Sequence, residues 1–253
     1  MKTIKFINNI KNFNKYKKEK HIYFGSETCE KKLFRLNDLK NIVSKNNKQK
    51  ITLVFPYLTP KYFDEVKKMF PFISLHRNIF CEVVFNDWGT FILISQYKNL
   101  KPVLGRLLNK QRKDPIVQNI LDNTQPKMKF IVENNKQILI TAKSVPKTLI
   151  KYFQHTFLDV SFVQDFMLKN NINRYELDLL PWGTKLNINK KIKLSIYYPY
   201  VAVSTTRYCG AINLDYDSKC NRICEKQKIV TGENSLDYPY VIFGNENGCA
   251  ASP

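Results

Sequence analysis

Residues 51–86 read ITLVFPYLTPKYFDEVKKMFPFISLHRNIFCEVVFN, and this stretch decides the fold class. Two short apolar runs, ITLVFPY at 51–57 and CEVVFN at 81–86, are bounded by polar or turn residues and have the length of buried strands. Between them, Thr59 and Pro60 supply a capping residue followed by proline at the first helical position. The helix predicted over 59–70 places Phe63, Val66 and Phe70 on one face. The same alternation extends in both directions. Strands are predicted for HIYFG at 21–25, FILIS at 91–95, YELDLL at 175–180 and IKLSIYY at 192–198, with VAVST at 201–205 following. Further helices are predicted over 146–153 and 162–170. Repeated strand, helix and strand predict an α/β fold, either an open parallel sheet or a (β/α) barrel of the TIM type. The sequence holds no internal repeat, low-complexity linker or Pro/Gly-rich hinge. A single domain over 1–253 is therefore expected, with a basic N-terminal segment at 1–20, a barrel core at 21–224 and a C-terminal extension at 225–253.

Composition narrows the function classes. The chain has 253 residues, 43% of them hydrophobic, including 17 Phe and 14 Tyr, enough to build a sizeable core. No apolar run approaches the roughly 18–20 residues of a membrane span. The formal net charge of +20 would attract phosphate. Only seven of the 41 basic residues are Arg, however, and they run along the whole chain instead of forming one patch. A solvated surface with a Lys-and-Asn codon bias accounts for that distribution as well as RNA binding does. The opening MKTIKFINNIKNFNKYKKEK is polar and Lys-rich, so no secretory leader is read there. A cytoplasmic location with reduced thiols is expected.

Three cysteines crowd into STTRYCGAINLDYDSKCNRIC at 204–224, namely Cys209, Cys220 and Cys224, while Cys29 lies far upstream in IYFGSETCEKK. Four thiolates suit either a tetrahedral zinc or a 4Fe-4S cluster. Inert thiols and disulfides are the bland alternatives. If the sheet closes into a barrel, its first and last strands meet, and Cys29 can join the other three at the carboxyl rim, where catalytic groups gather in that fold. Cys81, inside a strand, reads as a small buried hydrophobe, and Cys249 in GNENGCAASP as a spare thiol. Asn86 and Asp87 end a strand, where they either bind substrate or shape the turn before Trp88 and Gly89. Arg106 in LGRLLNKQR suits a carboxylate ligand through its bidentate fork, or else a salt bridge to Glu176 or Asp178. Those two acids share one strand face, and Arg174, Arg106 and Arg207 are their candidate partners.

Read in order, IYFGSETC, EVVFNDWG, PVLGRLLNKQRKDP, RYELDLL and YPYVAVSTTRYC resemble the peptidase U32 family, the collagenase-like proteins, and most closely its short UbiV-like branch. The resemblance spans about residues 22–224. It implies a bacterial protein whose matching cysteines, Cys29, Cys209, Cys220 and Cys224, hold a 4Fe-4S cluster. It also implies oxygen-independent hydroxylation of a ubiquinone-type small aromatic substrate or of RNA, with a heterodimer of two family members in the ubiquinone case. Zinc remains the alternative metal for the same thiolates. The family name aside, peptidase chemistry is not supplied. The three histidines, His21, His76 and His155, have no neighbouring cysteine or Gly-flanked serine in sequence, and HExxH is absent. The runner-up reading is a non-catalytic cluster-bearing or RNA-binding partner of a larger enzyme.

Overall fold

The computed structural model describes residues 2–45, 48–113, 127–132, 136–141, 147–180, 183–198, 201–202, 220 and 240–243. Its strands are β1 (Lys2–Ile7), β2 (His21–Gly25), β3 (Lys50–Val54), β4 (Phe80–Phe85), β5 (Pro102–Leu104), β6 (Lys127–Val132), β7 (Lys136–Thr141), β8 (Arg174–Asp178), β9 (Lys193–Tyr198) and β10 (Tyr240–Phe243). The helices are α1 (Leu36–Lys45), α2 (Pro60–Lys67), α3 (Phe70–Leu75), α4 (Trp88–Ser95), α5 (Lys147–Gln154) and α6 (Ser161–Lys169).

Strands β1, β2, β3, β4, β5, β8 and β9 pair parallel to one another in that order. The sheet they form is curled, and β10 pairs antiparallel with both β1 and β9 to complete the ring. The hairpin of β6 and β7 stands apart as a second sheet. The expected α/β class and barrel-like curvature are present. Helices recur between the parallel strands because parallel neighbours require a crossover connection.

Side chains alternate between two cores with the period of two that strands impose. Ile4, Phe6, Tyr23, Val54, Val84, Val103 and Tyr197 face inward as one cluster. Ile22, Phe24, Leu53, Phe55, Val83 and Phe85 face outward and pack with helical residues such as Leu39, Ile42, Val66 and Phe70. Rings of Phe24, Phe34, Phe55, Phe70 and Tyr97 contact one another in succession at centroid distances of 5.3, 5.2, 5.7 and 5.7 Å. Each buried Phe contributes about 2–3 kcal/mol by removal from water, so this outer layer carries much of the fold's stability.

Three elements differ from the sequence reading. FILIS at 91–95 is helical, as part of α4. The Asp87 carboxylate accepts from the Thr90 backbone N–H and hydroxyl, each at 2.7 Å, and this N-cap starts a helix where a short apolar run alone is ambiguous. The helix expected over 59–70 is divided into α2 and α3, because Pro71 has no N–H to donate back to the α2 turn. Thr59 does precede α2, but its hydroxyl is turned to the Glu30 carboxylate at 3.1 Å, as is its N–H at 2.7 Å. The barrel also begins earlier than residue 21: β1 lies inside the Lys-rich N-terminal segment, and Ile4 and Phe6 are buried in the lumen. VAVST lies outside the described residues from residue 203 onward.

Gly25 ends β2 with φ +144°, and a Cβ there would stand 2.1 Å from the Val54 carbonyl oxygen. Only glycine lets β2 close against β3 and release the loop that carries Glu27 and Cys29. Gly25→Ala is expected to lower the unfolding free energy by about 2–3 kcal/mol through steric and backbone strain. An unchanged urea midpoint would show that the loop can be rebuilt without it.

Candidate functional site

Several charged and polar groups gather at the carboxyl ends of the parallel strands. Glu27 and Cys29 follow β2, Asn86 and Asp87 follow β4, Arg106 follows β5, and Asp178 ends β8. Arg106, only 6% exposed, is the centre of a charged net. Its Nε and Nη2 donate to the two Glu27 oxygens at 2.9 and 2.6 Å, and its Nη1 donates to Asp178 Oδ1 at 2.5 Å. The guanidinium also lies 3.9 Å from the Tyr197 ring centroid. Lys113 pairs with Asp178 Oδ2 and donates to the Arg106 carbonyl at 3.0 Å. Two carboxylates thus balance two cations. Burial alone would favour neutral Arg106, but the Glu27 and Asp178 charges overcome it and hold the guanidinium firmly protonated. For Lys113 burial dominates and lowers its pKa despite the pull of Asp178.

The loop after β5 is stapled to β8 by side chains that stand in for a strand. Leu104 and Tyr175 are the one register pair recorded between β5 and β8. Beyond it, Asn109 donates to the Glu176 carbonyl at 2.5 Å, while Gln111 donates to the Asp178 carbonyl at 3.1 Å and accepts from the Asp178 N–H at 2.7 Å. Buried backbone groups that the ladder leaves open are satisfied in this way.

Deeper in the lumen, Glu176 is fully buried. Burial, reinforced by the Glu27 charge and opposed by Arg174, pushes its carboxyl up to about 8. The Tyr197 hydroxyl donates to Glu176 Oε2 at 2.9 Å, and the Tyr23 and Tyr197 rings meet edge-on at 6.4 Å. The lumen is therefore polar through its centre.

The sequence-derived candidates fall into three groups. Asn86 and Asp87 carry structural bonds: Asn86 Nδ2 donates to the Phe55 carbonyl at 2.9 Å, its Oδ1 accepts from the Leu107 N–H at 3.3 Å, and Asp87 caps α4. Arg106 takes the salt-bridge alternative, with Asp178 and Glu27, and Glu176 sits in the lumen below the mouth. The cysteines form the third group. Cys29 is half-buried and donates its N–H to Ser26 Oγ at 3.2 Å. Burial pushes its thiol up; the Lys32 and Lys31 backbone N–H groups and the Lys32 charge act in the opposite sense, and Cys220 raises it further. Cys29 and Cys220 are thus within electrostatic range, and both are free thiols. Cys209, Cys224, Cys249 and Arg207 lie outside the described residues.

Glu27, Lys113, Tyr23 and Tyr197 were not foreseen. Glu27 lies two residues past the glycine that ends β2, but no local signal marks it as the partner of Arg106. Compared with models of known protein families, with curated proteins and with solved structures, the chain matches none. No described helix is long and apolar enough to cross a membrane.

Proposed function

We propose that this chain is an iron-sulfur protein whose 4Fe-4S cluster is held by Cys29, Cys209, Cys220 and Cys224 at the carboxyl mouth of a TIM-type barrel, and that it serves oxygen-independent hydroxylation as one subunit of a pair. The observation that carries the reading is that Cys29 and Cys220, from opposite parts of the chain, are both half-buried free thiols within range for the charge of one to act on the other. As far as they are described, the residues fit: both thiols are free, and although burial raises the Cys29 thiol overall, the Lys32 and Lys31 backbone N–H groups act toward its thiolate, as hydrogen-bond donors around cluster sulfurs do. Such a cluster, when bound, supplies one-electron transfer. The chain's own residues hold the Cys29 loop in place. Glu30 ties it to the start of α2, and Glu27 ties it to Arg106 and so to β8. The substrate class, a ubiquinone-type aromatic or RNA, rests on the motif resemblance.

A second reading is favoured by the full engagement of Arg106, which leaves its fork bound to Glu27 and Asp178. It makes the chain a cluster-bearing, non-catalytic partner of a larger enzyme. The cysteine assignment is tested by purifying Cys29→Ser and Cys224→Ala without oxygen beside the parent chain. Both variants are expected to lose the brown chromophore while keeping the far-ultraviolet circular dichroism. A chromophore retained in both would refute the ligand set, and hydroxylation retained after cluster loss would leave only the second reading.

A further inference from the structure

The opposite end of the barrel carries a second cluster of metal-ligating side chains. His21 begins β2, and it meets Cys81 and Glu82 of β4; one ligand atom from each lies within 4.8 Å of the others, and all three residues are partly buried. Adjacent residues of a regular strand point to opposite faces, so Cys81 and Glu82 should not converge. They do so because the register slips: Ile51 pairs with Phe80 and Thr52 with Glu82, which makes Cys81 the extra residue of a bulge. Bulges re-aim side chains in this way and are frequent beside functional sites. Cys81 is half-buried and has polar neighbours. Its Sγ stands 4.0 Å from His21 Nε2 and 3.6 Å from the Ile51 carbonyl oxygen.

From this geometry we infer a divalent-metal site of the zinc class at the amino end of the barrel, ligated by His21, Cys81 and Glu82. One imidazole, one thiolate and one carboxylate form a donor set suited to zinc, with a fourth position left for water. Zinc bonds of about 2.0–2.3 Å place neighbouring ligand atoms roughly 3.3–3.8 Å apart in a tetrahedron, so a site whose ligand atoms lie within 4.8 Å of one another closes on the ion by contracting at most about 1–1.5 Å. In the metal-free chain the Thr52 hydroxyl donates to Glu82 Oε2 and therefore accepts from His21 Nε2–H, each at 2.9 Å, so an ion bound at Nε2 takes the place of that proton. Arg174 also pairs with Glu82 through Oε2. Once an ion has displaced the Cys81 proton, the thiolate and the Glu82 carboxylate together face one guanidinium. This site is independent of the mouth cysteines: His21 and Gly25 are the two ends of β2, about 13 Å apart at the rise of a strand.

The test is a titration of metal-free, full-length protein with Co²⁺ and with Zn²⁺, read as the difference between the parent chain and Cys81→Ser, so that metal held by other cysteines cancels. The parent is expected to show a sulfur-to-cobalt charge-transfer band and intense tetrahedral visible bands that Cys81→Ser lacks, and to bind one more equivalent of Zn²⁺. Glu82→Gln and His21→Gln should each weaken this equivalent about tenfold or more. The difference should persist in a Cys29→Ser background. Identical cobalt spectra and equal zinc in parent and Cys81→Ser would overturn the site. Should Cys81→Ser misfold, unchanged cobalt and zinc binding in His21→Gln would overturn it equally.

Discussion

Replacing Arg106 with Met is expected to cost about 3–5 kcal/mol of unfolding free energy, because removal of one partner from a buried ion pair leaves the others uncompensated. Two carboxylates are at stake here. Glu27 would lose a bidentate partner and Asp178 one of its two cations, with all of them in a site that is nearly closed to water. Charge is the cause in this account, not shape, so Glu27→Gln added to Arg106→Met should recover most of the loss, because Asp178 keeps Lys113 as its partner. Chemical denaturation of the single and double variants decides it. A single variant within about 1 kcal/mol of the parent would mean that the net is wetter and weaker than its burial indicates.

Glu176→Gln is expected to remove a pH dependence and to stabilise the protein at alkaline pH. The carboxyl is raised from 4.5 to about 8 in the folded chain, chiefly by burial. The folded state therefore keeps a proton that the unfolded state releases, and stability falls as the pH rises from about 4.5 to about 8. At about 1.4 kcal/mol for each pH unit, the loss over that window is on the order of 3–5 kcal/mol. Glutamine can accept from the Tyr197 hydroxyl without carrying a titratable proton. Its variant should match the parent near pH 5 and exceed it at pH 8. Parallel stability profiles for the two chains across the window would show that Glu176 is ionised in the fold.

Both predictions depend on a lumen that the sequence disclosed in part. The acidic face of β8 was legible, since Glu176 and Asp178 alternate in a strand, and Arg106 was among the partners named for them. Glu27 was not, because nothing local marks an acid in a loop as the mate of an arginine far along the chain. Apolar runs flanked by polar residues identified β2 residue for residue and β3, β4, β8 and β9 to within a few positions. The same criterion misread FILIS, where the capping pair Asp87 and Thr90 was the better signal. It also passed over β1, whose lysines obscure the buried Ile4 and Phe6. The bulge at Cys81 was invisible, because register between strands is a property of the pairing and not of either strand.

The most direct measurement of the central claim is the iron, acid-labile sulfide and zinc content of the full chain purified without oxygen, with its absorption spectrum. The account predicts about four irons and four sulfides per chain and a broad band near roughly 400 nm. Iron and sulfide well below one per chain, whatever the zinc content, would contradict it and leave the mouth cysteines as a zinc site or as plain thiols.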